Sequence, residues 1–397
     1  MSDELAKLVG DRVRFARQAN HQTQSVVAGL SGITTDYLYQ IERGKKLPTL
    51  PVLLAITSAL KLPAGKLLED RESHSKPAVR PTNAARAIHQ ALTQPPRKAH
   101  HSGGSALRER VHAAWQSWQH SPQRYSEVGG ALPQLITDTE LLLRGSSDQK
   151  LAQLCAVELY GLVRTVSKRL GRADSALLAA DRAMRAADVL GRPLPQAAAA
   201  WNLAHVLLAD NEVDGAEAVA MNALDELRSK TDGTTLDGMA LQGALLSVAA
   251  VASARLGRGW PGRDRLREAD KLAQATGERN TAWTAFGPTN VAMHAVSIEV
   301  ETGEVTEALR LAESVEPPAG LSIERRVAFL LEQAKGYEQR QDYGSALVTL
   351  QAASLVAPED IAYRPAAQRT LQTIVQRGRS TVARQGAALA IRFGVFV

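Results

Sequence analysis

Two groups of side chains in this sequence have types and spacings suited to recognising another molecule. The first is Thr35, Asp36, Tyr39 and Gln40, which fall on one face of a short helical stretch, a turn apart. The Gln40 carboxamide has the donor and acceptor needed for paired hydrogen bonds to adenine, and Asp36 can accept from cytosine N4. Asp36 has a second reading, because a carboxylate repels phosphate and equally serves as a solvated cap near a helix start. Thr34 stands at that start. Gln24 opens the preceding helix, where a side chain and free backbone N–H groups suit a phosphate. Arg43, Lys45 and Lys46 follow the stretch and suit further phosphates. The expected partner of this group is double-stranded DNA. In the second group, much further along the chain, Asn202, His294 and Glu332 stand fourteen residues before small residues, His205 and Lys335 eleven before, and Asn290 one helical turn before His294. Polar atoms so placed suit the backbone of an extended peptide or the polar atoms of a small molecule.

The elements that must hold the first group are short helices. A helix is expected from about Glu4 to Ala19, its apolar face formed by Leu5, Leu8, Val9, Val13 and Ala16. Thr23 caps a second, carrying Val26, Val27 and Ala28, and Thr34 caps a third that Gly44 closes. Thr49 and Pro51 open a fourth, and Pro63 a fifth ending near Leu68. A tight turn between the second and third makes this a helix-turn-helix arrangement. Residues 1–112 carry 17 Lys and Arg against 9 Asp and Glu, so the surplus behind the net charge of +6 sits at this end, where attraction to phosphate needs it.

The pattern Thr23-Gln24, Ala28, Gly32-Ile33, Tyr37-Leu38 and Ile41-Glu42-Arg43-Gly44, followed by Lys45, Lys46 and Pro48, closely resembles the phage-repressor-like (XRE) regulators over about residues 5–69. The resemblance implies a DNA-binding domain over 1–70. It also implies that Arg17 and Glu42 form an ion pair within the fold rather than reading bases.

Residues 71–104, rich in Pro, Gly, Ser and His, read as a basic flexible linker, with one short helix from Asn83 to Leu92. From 105 to 397 helical periodicity continues, and no convincing strand appears, so the fold class expected is all-α. Small residues recur at Ala176, Ala216, Gly262, Ala308 and Ala346. Five residues before each stands Gly171, Asn211, Gly257, Gly303 or Gln341, suited mostly to a helix-ending turn. This is the pattern of stacked helix pairs forming a superhelix. The segment from Tyr337 to Pro358 resembles a tetratricopeptide repeat, and the other units resemble it more loosely. An additional helical pair is expected over Leu107–Arg144 and a closing cap after Arg364. The second group of polar residues then lies on the first helix of successive pairs. Trp283, Phe286 and the Gly287-Pro288 break either shape a pocket end or fill core.

A helix-turn-helix reader joined to such repeats is similar to the RRNPP peptide-sensing regulators. The resemblance implies a homodimer whose repeats sense a peptide or small-molecule effector. A scaffold that binds a partner protein and uses DNA only as a tether is the competing reading, and a constitutive repressor the third. There is no Gly-rich phosphate loop followed by Lys-Ser or Lys-Thr, His100 and His101 lack ligand-spaced partners, and Cys155 sits among apolar residues as a small hydrophobe. No enzyme activity, cofactor or metal is therefore expected. The single cysteine fits a reducing compartment, and neither a signal peptide nor a membrane-length apolar run is read, so a cytoplasmic location is expected.

Overall fold

A computed structural model describes residues 2–20, 22–60, 81–94, 103–145 and 148–395. The fifth helix expected at Pro63–Leu68 and the His100–His101 pair lie outside them. All regular structure among the described residues is helical.

The amino-terminal bundle comprises α1 (Ser2–Ala19), α2 (Gln24–Leu30), α3 (Thr35–Glu42) and α4 (Leu50–Ala59). Its boundaries follow local chemistry. Thr23 and Thr34 sit extended before α2 and α3, and their hydroxyls accept from the N–H of Val26 (3.3 Å) and Tyr37 (3.2 Å). Gly32 and Gly44 take φ of 65° and 67° where the chain leaves α2 and α3, a conformation that costs glycine nothing. Val9, Val13, Ala16, Val27, Leu38, Ile41, Leu53 and Ile56 form one small core. At Gly10 α1 lies directly on α3: a Cβ there would come within 2.1 Å of the Ile41 carbonyl oxygen.

The stretch that reads as a linker contains α5 (Pro81–Thr93), one residue or two longer at each end than expected. Its Ile88 and Leu92 are buried in the same core as α6 (Gly104–His120) and α7 (Arg124–Gly145). Five helix pairs follow: α8 (Gln149–Arg169) with α9 (Ala173–Leu190), α10 (Pro193–Ala209) with α11 (Val213–Arg228), α12 (Leu236–Arg255) with α13 (Gly259–Thr276), α14 (Pro288–Thr302) with α15 (Val305–Glu313), and α16 (Ile323–Gln339) with α17 (Tyr343–Val356). The short α18 (Pro358–Tyr363), α19 (Pro365–Arg377) and α20 (Ser380–Phe393) end the array.

The repeat register has a local cause. In every pair the turn between the helices holds one left-handed residue: Gly171, Asn211, Gly257, Gly303 or Gln341. The fourth residue of the second helix is the recurring small one, and Ala176, Ala216, Ala308 and Ala346 are buried to 1% exposure or less. At Gly262 the space is tighter still, since a Cβ would stand 2.8 Å from the Ala250 carbonyl oxygen. Small side chains let neighbouring backbones approach, and the pairs stack by that approach. α12 is long and apolar enough in composition to cross a bilayer, but 83% of its apolar window is buried inside the array, so its apolarity serves the core.

The array closes on itself. α6 packs against α16, and Gln119 on α6 exchanges hydrogen bonds with Asn280 in the loop before α14. Arg124 at the start of α7 pairs with Asp360 on α18 at 2.5 Å, both side chains fully buried. The neighbouring Glu359 carboxylate accepts from the N–H groups of Tyr125 (2.7 Å) and Ser126 (3.2 Å), capping α7 from the far end of the chain. Arg169 on α8 reaches Glu324 on α16 at 3.2 Å. The amino-terminal bundle touches this ring where Phe15 on α1 packs on Val375 of α19 and Ala387 of α20.

Candidate nucleic-acid interface and central cavity

α3 presents Thr35, Asp36 and Tyr39 to solvent with Gln40 half-buried beside them, while Leu38 and Ile41 anchor its other face. Gln40 Nε2 donates to Asp36 at 2.7 Å, so the two side chains singled out for base edges hold each other. Thr34 is exposed and spends its hydroxyl on the cap. Arg43, Lys45 and Lys46 are exposed beyond the helix end, with Arg43 over the Tyr39 ring (5.5 Å) and Lys46 over that of Tyr37 (5.6 Å). Arg17 and Glu42 form a two-point ion pair, 2.6 and 2.9 Å. Gln24 belongs to the same cluster: its Nε2 donates to Glu42 at 2.7 Å, so its side chain braces α2 against the pair, and the free N–H groups of the α2 start remain for a phosphate. The result is an exposed polar face of a helix flanked by cations, the geometry that enters a major groove.

The first helices of successive pairs, α8, α10, α12, α14 and α16, together with the start of α19, line an open-sided cavity of about 610 Å³. Of the residues expected to meet an effector, His205, His294 and Glu332 line it. Asn202, Asn290 and Lys335 are turned to other work. Asn202 accepts from Arg164 and donates to the Ala198 carbonyl (3.0 Å), Asn290 accepts from Arg325, and Lys335 pairs with Glu301 at 3.0 Å. A buried asparagine in a helix needs such partners, and here an arginine provides each.

Six cations line the cavity, Lys168, Arg169, Arg255, Arg325, Arg364 and Arg369, against two acids, Glu301 and Glu332. Burial pushes the His294 imidazole down to about 3, helped by Arg325, and holds His205 well below the ordinary histidine range with Lys168 and Arg164 nearby; both are neutral at pH 7. Burial also lowers Arg325 and Arg364 to about 10. A side chamber of about 50 Å³ shares Lys168, Arg169, His205 and Arg325 and adds Trp115, Trp201 and Trp283. Trp283 stacks on Trp115 at 5.2 Å, so it shapes this chamber, whereas Phe286 is fully buried against Gly243 and fills core. The cation cluster had no signature along the sequence. Lys168 and Arg169 end α8, where basic residues are common for dipole reasons alone, and Arg364 and Arg369 join them only because the array closes. Cys155 is buried, and burial pushes its thiol up to about 12, an inert small hydrophobe.

Residues 8–69 match the family model described as a helix-turn-helix domain. Over 90 residues the chain is 36% identical to the transcriptional regulator ClgR of Mycobacterium tuberculosis, which is 22% of this chain and 80% of that protein. The chain belongs to the helix-turn-helix transcriptional regulators, and it is a DNA-binding one. Among solved structures, Bacillus thuringiensis PlcR, in complex with the peptide PapR7 and DNA, aligns at TM-score 0.29 and 11% identity, covering 89% of this chain and 98% of that one. The apo competence regulator ComR of Streptococcus vestibularis aligns at 0.28 and 9% identity over 98% and 99%. Likenesses at these scores decide nothing about ligand or partner.

Proposed function

We propose that this chain is a ligand-controlled, sequence-specific transcription regulator that acts in the cytoplasm as a homodimer. Residues 1–70 would form its reader and 105–397 its sensing and dimerising array. The observation that carries this reading is the solvent-facing row Thr35, Asp36 and Tyr39 on α3, with the half-buried Gln40 beside it, left uncovered by the ring and flanked by Arg43, Lys45 and Lys46. On approach to DNA, Gln40 exchanges its bond with Asp36 for one to a base edge, and the three cations and the α2 start fix the register on phosphates. Two copies would place two such helices on half-sites about 34–36 Å apart. The central cavity, about 610 Å³, lies within the range of about 300–1,000 Å³ that suits a drug-sized ligand, which favours a small molecule or a short peptide end as the effector. The array binds; nothing in this reading asks it to catalyse.

Footprinting of the full chain on fragments of its own genome tests the reading, and absence of any protected segment would refute it. Gln40→Ala should relax preference at one base pair by about 1–3 kcal/mol. Lys46→Ala should weaken binding to every sequence alike and reduce the salt slope by about 1.

A further inference from the structure

We infer that the central cavity is a binding site for a small organic anion, whose carboxylate or phosphate is held by Lys168, Arg325, Arg364 and Arg369. This rests on the sensor reading only for its consequence at DNA; the binding itself stands on the cavity.

The charges lining the cavity do not balance within the protein, and Glu332, acting on Arg325, offsets only one of the cations left over. Glu301 already serves both Arg255 (3.1 Å) and Lys335 (3.0 Å), and Arg169 is met by Glu324. Asp360 lies 2.5 Å from Arg124 and only 3.7 Å from Arg364, so Arg364 holds the weaker share of one carboxylate. Arg325 donates to the neutral Asn290, and its Nε has no hydrogen-bond partner. The side chains of Lys168 and Arg369 have no hydrogen bond or ion pair among the described residues. Lys168 is instead surrounded by Arg169, Arg164, Arg364 and Arg255, and burial together with those like charges holds its ammonium well below the usual lysine range.

Cations gathered this way repel one another in a partly desolvated space, and an anion among them turns repulsion into attraction. The cluster is assembled from α8, α16 and α19 across the closure of the ring, so it is absent from any single pair. DNA is excluded as the partner, because a helix-walled cavity of this volume does not admit a duplex. Val248, Val251, Met293, Phe329 and Pro365 supply an apolar wall beside the charges, which suits an anion carried on an organic body.

The test uses the full chain in thermal unfolding at constant ionic strength, titrated with inorganic phosphate and separately with citrate, with sodium chloride as the reference. Saturation should raise the melting temperature by about 3 °C or more. A response to phosphate alone assigns phosphate-bearing ligands, and one to citrate alone assigns carboxylates. The rise should disappear in Lys168→Met, which should also melt no lower than wild type without anion because it removes a repelled charge. Arg369→Gln, at an exposed position, should weaken the response about tenfold in concentration and guards against misfolding of the first variant. Lys46→Ala should respond like wild type, which separates the cavity from the DNA-facing cations. No rise with either anion, or an equal rise in Lys168→Met and Arg369→Gln, overturns the inference. Loss of DNA protection with the anion response intact would instead count against the function proposed above.

Discussion

Arg17, Glu42 and Gln24 show how a side chain's role is decided by what is within reach. Glu42 is 2% exposed and Arg17 12%, and breaking a pair this enclosed leaves a carboxylate without its counter-charge. Arg17→Met should therefore cost about 3 kcal/mol in urea unfolding of the reader, with the loss read as a lower midpoint. Gln24 sits at a helix start that suggests a phosphate, yet its carboxamide turns inward to Glu42; the α2 backbone, not its side chain, is left for DNA. His294 sets a pH dependence. Its folded-state value of about 3 lies below the ordinary 6.5, so the folded chain resists protonation that the unfolded chain accepts. Stability is full above pH 6.5 and declines progressively as pH falls toward 3. Glu324 adds to this lower down: Arg169, against the opposing effect of burial, holds it at about 2, so its stabilisation fades from about pH 4.5 downward. His294→Gln should flatten the fall in melting temperature between pH 6.5 and 5, where Glu324 does not titrate. An unchanged slope there would remove His294 from the account.

At the scale of elements, the features that could be read along the chain are those with local causes. Caps at Thr23 and Thr34, the turn at Gly44 and the five-fold coincidence of a left-handed residue with a small one five positions later all follow from neighbours in sequence. What could not be read is what depends on distant partners. α5 looks polar enough for a linker, and only the presence of α7, α8 and α9 explains why Ile88 and Leu92 are buried. The polar residues of α10, α14 and α16 were legible as a recurring set, but which of them turn from the cavity is settled by partners on other helices: Asn202 by Arg164 and Asn290 by Arg325, each two helices away, and Lys335 by Glu301. Two of the five turns keep a side chain where three have glycine. Asn211 and Gln341, at φ of 65° and 61°, bear the left-handed strain. Gln341→Gly should relieve about 1–2 kcal/mol of that strain while losing part to unfolded-state freedom, for a net gain of about 0.5–1 kcal/mol. Denaturant midpoints measure it, and a loss of stability would show that Gln341 has a partner worth more than its strain.

At the scale of the whole molecule, closure turns a row of helix pairs into an enclosure whose first and last members depend on one another. α19 takes part in two places at once. Arg369 and the residues at its start lie at the cavity wall, and Val375, further along the same helix, lies under Phe15 of the reader. Thirteen residues make it a rod about 20 Å long. Phe15→Ala should leave the anion-dependent rise in melting temperature unchanged while abolishing any effect of the anion on DNA affinity, measured by anisotropy; persistence of that effect would assign the route elsewhere. If the rod does carry the message, traffic along it runs both ways. Whatever factor an occupant changes the grip on an operator, operator-bound copies must change their hold on that occupant by the same factor. Copies parked on DNA and copies free in the cell would then sense different concentrations of one metabolite, giving a single gene product two thresholds.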